Sequence, residues 1–260
     1  LKKKSVSEYN FKDLINSLKK VGLKKNDNIF IHSNIGLFGN MKGMNNKEKL
    51  VKSFYFAIKK ILGNKGTITV PSFSYSFFKK EIFYKNKSKS DMGIFAEYVR
   101  LRRDSIRSDD PNFSVSSIGF LSKFLTSDNI NLETYSKNSF FEKFHSLNGK
   151  IMNFNFPGTT FIHYYEKKLG VKYRYEKNFS GINEGKKEKW KVFSKYLSKK
   201  ETFHNPFPVT NLIKKRKIAK VSQLGKGEIV CITSNQLYRI IKSEIKKNRW
   251  LLTMNNKVKY

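Results

Sequence analysis

One cysteine stands in the 260 residues, Cys231 inside the apolar run EIVCIT. A single thiol makes no intrachain disulfide and no paired-cysteine metal site. It reads as a small buried hydrophobe, and the lack of a disulfide framework points to a reducing, cytoplasmic setting. No apolar run reaches the roughly 18 residues that a membrane-crossing helix needs. The first stretch, LKKKSVSEYNFKDLINSLKK, lacks the apolar centre of a signal peptide. Its Phe11, Leu14, Ile15 and Leu18 recur at helical spacing and predict an amphipathic helix that packs on a core. Familiar chemical signatures are also missing. There is no GxGxxG, since Gly36 and Gly39 have the wrong pattern, and no phosphate-binding Walker loop. There is no GxSxG nucleophile turn. With four histidines and no HxxxH or HExxH, no metal is expected.

Acid is the scarcest charge. Twenty Asp and Glu face 53 Lys and Arg, a formal charge of +33. Such a field invites nucleic acid or an anionic membrane. Only eight of those cations are Arg, however, and the lysines run along the whole chain. Readers of phosphate and bases lean on the bidentate guanidinium, and no nucleic-acid-binding motif accompanies the charge. Nucleic acid is therefore an unfavoured partner. Aromatic residues reach 15%, with 23 Phe and 13 Tyr; they supply the apolar volume of a folded protein.

Apolar periodicity alternates between strand and helix. Helices are predicted over 8–20, 46–63 and 92–103, and strands at NIFIHS, GTITVP and GKIMNFNF. SVSSIGFLSKFL reads as strand then helix, and KWKVFSKYL as either. The end of the chain reads helix, strand, turn, strand, helix. No repeat or Pro/Gly/Ser linker divides it, so residues 1–260 are expected to form one domain. The expected fold is a three-layer α/β/α sandwich with a central mixed sheet and an irregular insertion near 173–210.

Three strands end in small polar loops: HSNIGLFG, PSFSYS and PGTTFIHYYE. In open α/β sheets ligands gather outside such strand ends. Ser33, Ser72, Ser74, Thr159, Thr160 and His163 are thus expected to converge. His163 and Glu166, at i and i+3, share one helix face. A carboxylate there can orient an imidazole for general-base work, though the same pair can be purely structural.

Five stretches in order carry a resemblance: DNIFIHSNIGLFG (27–39), KGTITVPSFSYSF (65–77), IRSDDPNFSVSSIG (106–119), NSFFEKFHSLNGKIMNFNF (138–156) and TTFIHYYEKKLG (159–170). The chain resembles the aminoglycoside 3-N-acetyltransferases, which move acetyl from acetyl-CoA to a sugar amine. The resemblance implies that His163 is the catalytic base, with Glu166 or Glu201 as its acidic partner. It also implies that His32, Ser33, Gly36, Ser72, Ser74, Ser114 and Val115 surround CoA. Taken alone, His32 and His204 read as ordinary strand or loop histidines, and His145 as a packing residue. The family element RSxHPxHSV departs here to RSDDPNFSV, with Asp110 and Phe113 replacing two histidines. Asp110 and Thr159 are expected to meet the substrate. A strongly basic chain repels polycations, so the expected acceptor is a nucleotide-linked amino sugar for surface polysaccharide. The alternatives are an aminoglycoside antibiotic and, from another class, a basic nucleic-acid-binding protein without catalysis.

Overall fold

Asn10 opens the first helix, α1 (Phe11–Lys20). Its side chain accepts the Asp13 amide while the Asp13 carboxylate accepts the Asn10 amide, a reciprocal cap. The helix buries Leu14, Ser17 and Leu18 and packs on the protein, as its periodicity predicts. The chain then forms β1 (Asn28–Ser33), α2 (Lys47–Leu62) and β2 (Thr67–Pro71). After a long loop come α3 (Gly93–Arg100), β3 (Ile106–Arg107), β4 (Val115–Gly119), α4 (Ser122–Thr126) and α5 (Phe140–Ser146). Next are β5 (Lys150–Phe154), α6 (Phe161–Lys168), β6 (Arg174–Asn183) and β7 (Lys186–Tyr196). The last elements are α7 (Phe207–Lys215), β8 (Lys220–Leu224), β9 (Gly227–Thr233) and α8 (Ser234–Lys247). The computed structural model describes residues 8–44, 46–196 and 204–254.

Seven strands form one mixed sheet in the order β3-β4-β2-β1-β5-β9-β8. The central strand β1 runs parallel to β2 and β5. β4 lies antiparallel to β2, and β9 antiparallel to β5. Burial on both faces explains why NIFIHS and TITVP read as continuous apolar runs rather than alternating ones. One face carries α1, α2 and α3, whose Leu14, Leu18, Phe54, Ile58 and Phe95 meet Ile29, Ile31 and Ile68. The other carries α5, α6 and α8 around Phe30, Phe144, Phe161 and Ile232. Three layers result, as expected. The carboxyl ends of β2, β1 and β5 lie side by side, with successive connections leaving in opposite directions. That is a topological switch point.

The described part of the stretch 173–210 is more regular than its sequence suggests. Strands β6 and β7 form an antiparallel hairpin outside the main sheet. Trp190 and Val192 alternate inwards and are fully buried, while Lys189 and Lys191 turn outwards. That period of two is diluted by lysine, which hides it from a hydrophobicity reading. Among the described residues no helix is long and apolar enough to cross a membrane. Cys231 is buried in β9, and burial pushes its thiol up to about 12.

Candidate active site

A cavity of about 480 Å³ opens at the switch point. Its walls come from the end of β1 (His32–Asn34), the loop after β2 (Phe73, Tyr75), the start of α3, and the β5–α6 loop. His163 and His204 complete it. Three of the four histidines in the chain therefore share one cavity. His145 packs elsewhere, edge-on to Tyr165 and Tyr238.

His163 lies in the first turn of α6. Its Nδ1 is 2.9 Å from Glu166 Oε2, the contact that i, i+3 spacing predicts. A carboxylate only accepts here, so Nδ1 carries the hydrogen and Nε2 keeps the lone pair. Glu166 is 0% exposed. Its Oε2 also pairs with Arg174 Nε at 2.6 Å, and its Oε1 accepts the Tyr173 hydroxyl at 2.8 Å. Burial pushes the Glu166 carboxyl up, and the Arg174 guanidinium and Tyr173 hydroxyl pull it back. Burial, helped by the Arg174 charge, holds His163 well below 6.5. The imidazole is therefore neutral at pH 7, which is the state of a base.

His204 sits against His163, ring centroids 4.7 Å apart at 72°. Burial and then the His163 charge lower it to about 3. His163, Glu166 and His204 bring ligand atoms within 4.8 Å of one another. Glu166 is nevertheless already shared by His163, Tyr173 and Arg174, and the adjoining guanidinium opposes a dication. His32 ends β1 with Nε2 accepting the Thr160 amide at 3.2 Å, and its ring stacks on Phe156. Burial lowers it too, to about 3. It ties the sheet to the start of α6.

The other sequence candidates fall into three groups. His32, Ser33 and Thr159 line the cavity. Gly36 lies outside its wall, in the short turn Ile35–Phe38. Glu201 lies outside the described residues. Ser72, Ser74, Ser114, Val115 and Asp110 lie off the cavity wall, and the polar side chains among them are bonded internally. Ser72 donates to Ser116 Oγ at 2.6 Å, and Ser74 donates to the Pro111 carbonyl at 3.2 Å. Ser114 donates to the Ser72 carbonyl and accepts from Arg107 Nε. Val115 is fully buried in β4. Asp110 accepts the Asn112 and Phe113 amides at 2.8 Å each and the Thr134 hydroxyl at 2.6 Å. Its burial pushes it up to about 6. These groups brace a loop behind the cavity wall.

Arg107 is the hub of that brace. Buried, it donates to the Ser72, Ser88 and Lys85 carbonyls and to Ser114 Oγ, and it lies over the Phe83 ring. Phe113 fills in beside Phe73, Tyr75 and Phe78. Sequence reasoning missed Tyr173, Arg174 and His204 as site residues. The one signal for the first two was their place just after the α6 helix that carries His163.

The cavity is close to neutral. Asp91 is the one acid on its described wall, and Lys79 Nζ is 2.6 Å from it. Phe73, Tyr75 and Phe156 give it aromatic surface. A second cavity of about 630 Å³, between α2 and α3, shares Asp91 and Gly93 with the first and carries Lys47 and Lys89. Gly93 has φ +85°, and a Cβ there would point at the Ser33 carbonyl 3.8 Å away. A side chain there would be strained by the backbone conformation alone.

Fold and site together define an α/β/α enzyme with a neutral histidine–carboxylate pair at the switch point of its sheet. A family model described as aminoglycoside 3-N-acetyltransferase matches residues 30–246. The chain belongs to that family, and by that membership it is an N-acetyltransferase with acetyl-CoA as co-substrate. No curated protein matches its sequence. Solved structures agree on the fold. AAC-IIIb in a binary complex with CoASH has 15% identity and a TM-score of 0.76, covering 93% of this chain and 97% of that one. AAC(3)-IVa in complex with a gentamicin has 18% identity and a TM-score of 0.79, covering 94% and 91%. The YokD protein from Bacillus subtilis has 18% identity and a TM-score of 0.74, covering 93% and 95%.

Proposed function

We propose that the chain acetylates the amine of a sugar bearing little positive charge, a nucleotide-linked amino sugar, with His163 as general base. The observation that carries this reading is the neutral, aromatic cavity. Its one described wall acid is already paired with Lys79, and Glu166 with Arg174. A polycation finds no free carboxylate there among the described residues. Phe73, Tyr75 and Phe156 suit the apolar faces of a sugar ring. Two cavities that share Asp91 and Gly93 as wall residues support a place for acetyl-CoA across them. The acyl end fits beside His163, and Lys47 and Lys89 can meet its phosphates.

When bound, acetyl-CoA supplies the acetyl group as an activated thioester. His163 Nε2 takes a proton from the amine as the nitrogen–carbon bond forms. It returns that proton to the sulfur as the carbon–sulfur bond breaks. Glu166 holds the ring by Nδ1–H and offsets the charge the ring gains. Arg174 and Tyr173 fix Glu166 in turn. A positioned base of this kind contributes roughly 100- to 10,000-fold.

The second reading, acetylation of an aminoglycoside, is favoured by family membership and by the gentamicin complex of AAC(3)-IVa. Incubation with acetyl-CoA and a uridine-diphosphate amino sugar, followed by mass spectrometry, tests the first. Acetylated sugar nucleotide is the expected product. Its absence, with acetylated gentamicin formed instead, would replace the first reading with the second.

A further inference from the structure

A third cavity, of about 570 Å³, lies away from the switch point, between the end of α6 and the end of α8. Its size falls within the roughly 300–1,000 Å³ of ligand pockets. Tyr173 and Trp250 form its aromatic side, their rings stacked at 5.6 Å and 29°. Trp250 stacks on Tyr173 and stays 38% exposed, so part of its surface borders open space. Lys172, Lys246 and Arg249 also line the cavity, and among the described residues no acid does. None of these three cations has an ion-pair partner among the described residues. The nearby acid of α8, Glu244, pairs instead with Lys247 and with Arg216 at the end of α7.

An exposed indole beside three unneutralised cations is suited to a planar ring carrying phosphate. The indole stacks on the ring, and Arg249 offers a bidentate fork to the phosphate. We infer that this cavity binds a nucleotide and that its occupancy is felt at His163. Two short paths make the connection. Tyr173, the floor under Trp250, donates to Glu166, whose other oxygen holds His163. The segment after Trp250 pairs with the stretch at His204: the Leu252 carbonyl accepts the Asn205 amide at 2.9 Å, and Thr253 bridges to His204. A ligand that moves Trp250 acts on both partners of the catalytic imidazole.

The test needs no turnover, so it stands or falls apart from the acceptor's identity. Of the two tryptophans, Trp190 is fully buried and Trp250 reports on the cavity. Uridine monophosphate is titrated into the full chain while tryptophan emission is followed. Saturable quenching below millimolar concentration is expected, and inorganic phosphate alone should not reproduce it. The Lys246→Ala/Arg249→Ala variant keeps Trp250 and should bind at least tenfold more weakly. No saturable quenching, equal quenching by phosphate, or an unchanged affinity in the variant would overturn the site. Histidine-selective NMR tests the coupling. The His163 and His204 ring signals should shift with uridine monophosphate in the parent and stay fixed in the variant at the same concentration. Ring signals that stay fixed in a saturated parent would overturn the coupling.

Discussion

A neutral imidazole with its Nδ1 proton committed to Glu166 is the smallest unit of the proposed chemistry. His163→Asn should lower kcat by about 100-fold or more and leave CoA affinity nearly intact, as measured by thiol release and calorimetry. Unchanged turnover would make His163 structural. Because burial holds His163 well below 6.5, activity should persist to lower pH than an ordinary histidine base allows. A pH profile of kcat/KM with its acidic limb centred at 6.5 or above would contradict that. Linkage gives a companion prediction for His204. Its folded pKa, about 3, lies below the unfolded value near 6.5, so the unfolded chain binds more protons between them. Its contribution to stability is present above 6.5 and is lost as pH falls towards 3. In urea melts, the advantage of the parent over His204→Gln should shrink from pH 7 to pH 4. The His163–Glu166 contact was legible because i, i+3 spacing on a helix fixes it. Tyr173 and Arg174 were not, since their contact depends on how the hairpin turns back on α6. His204 was not either, since nothing in its local pattern places it beside another ring.

Loops after strands look alike in sequence whether they hold a ligand or hold themselves. PSFSYS and RSDDPNFSV read as cofactor and substrate contacts, yet their serine hydroxyls and Asp110 bond inwards, within the protein. Serine density alone does not reveal the direction of a hydroxyl. The hairpin is joined to the same loop: Phe83 donates its amide to the Ile182 carbonyl and accepts the Glu184 amide. Trp190 is the hairpin's anchor, fully buried with Phe77 and Phe83, its Nε1 donating to Glu188. Trp190→Ala should cost about 3–5 kcal/mol in denaturant unfolding and open residues 174–196 to proteases. A loss under 1 kcal/mol would mean that the hairpin adds little to the fold. The alternation of strands and helices was legible in outline, because buried parallel strands make unbroken apolar runs and capped helices separate them. Which strands are antiparallel was not, since that depends on the connections.

Across the whole molecule the decisive quantity is charge. The chain carries +33, while the cavity beside His163 is nearly neutral. The mean field therefore governs approach, and among the described residues the cavity offers a polycation no unpaired carboxylate. Raising salt should weaken use of an anionic sugar nucleotide, through a higher KM, because screening removes a favourable attraction. The most direct measurement is the ratio of kcat/KM for a uridine-diphosphate amino sugar to that for gentamicin, by CoA thiol release at low salt. The account predicts a ratio well above one that falls as salt rises. A ratio of one-tenth or less would contradict it and assign the site to aminoglycosides.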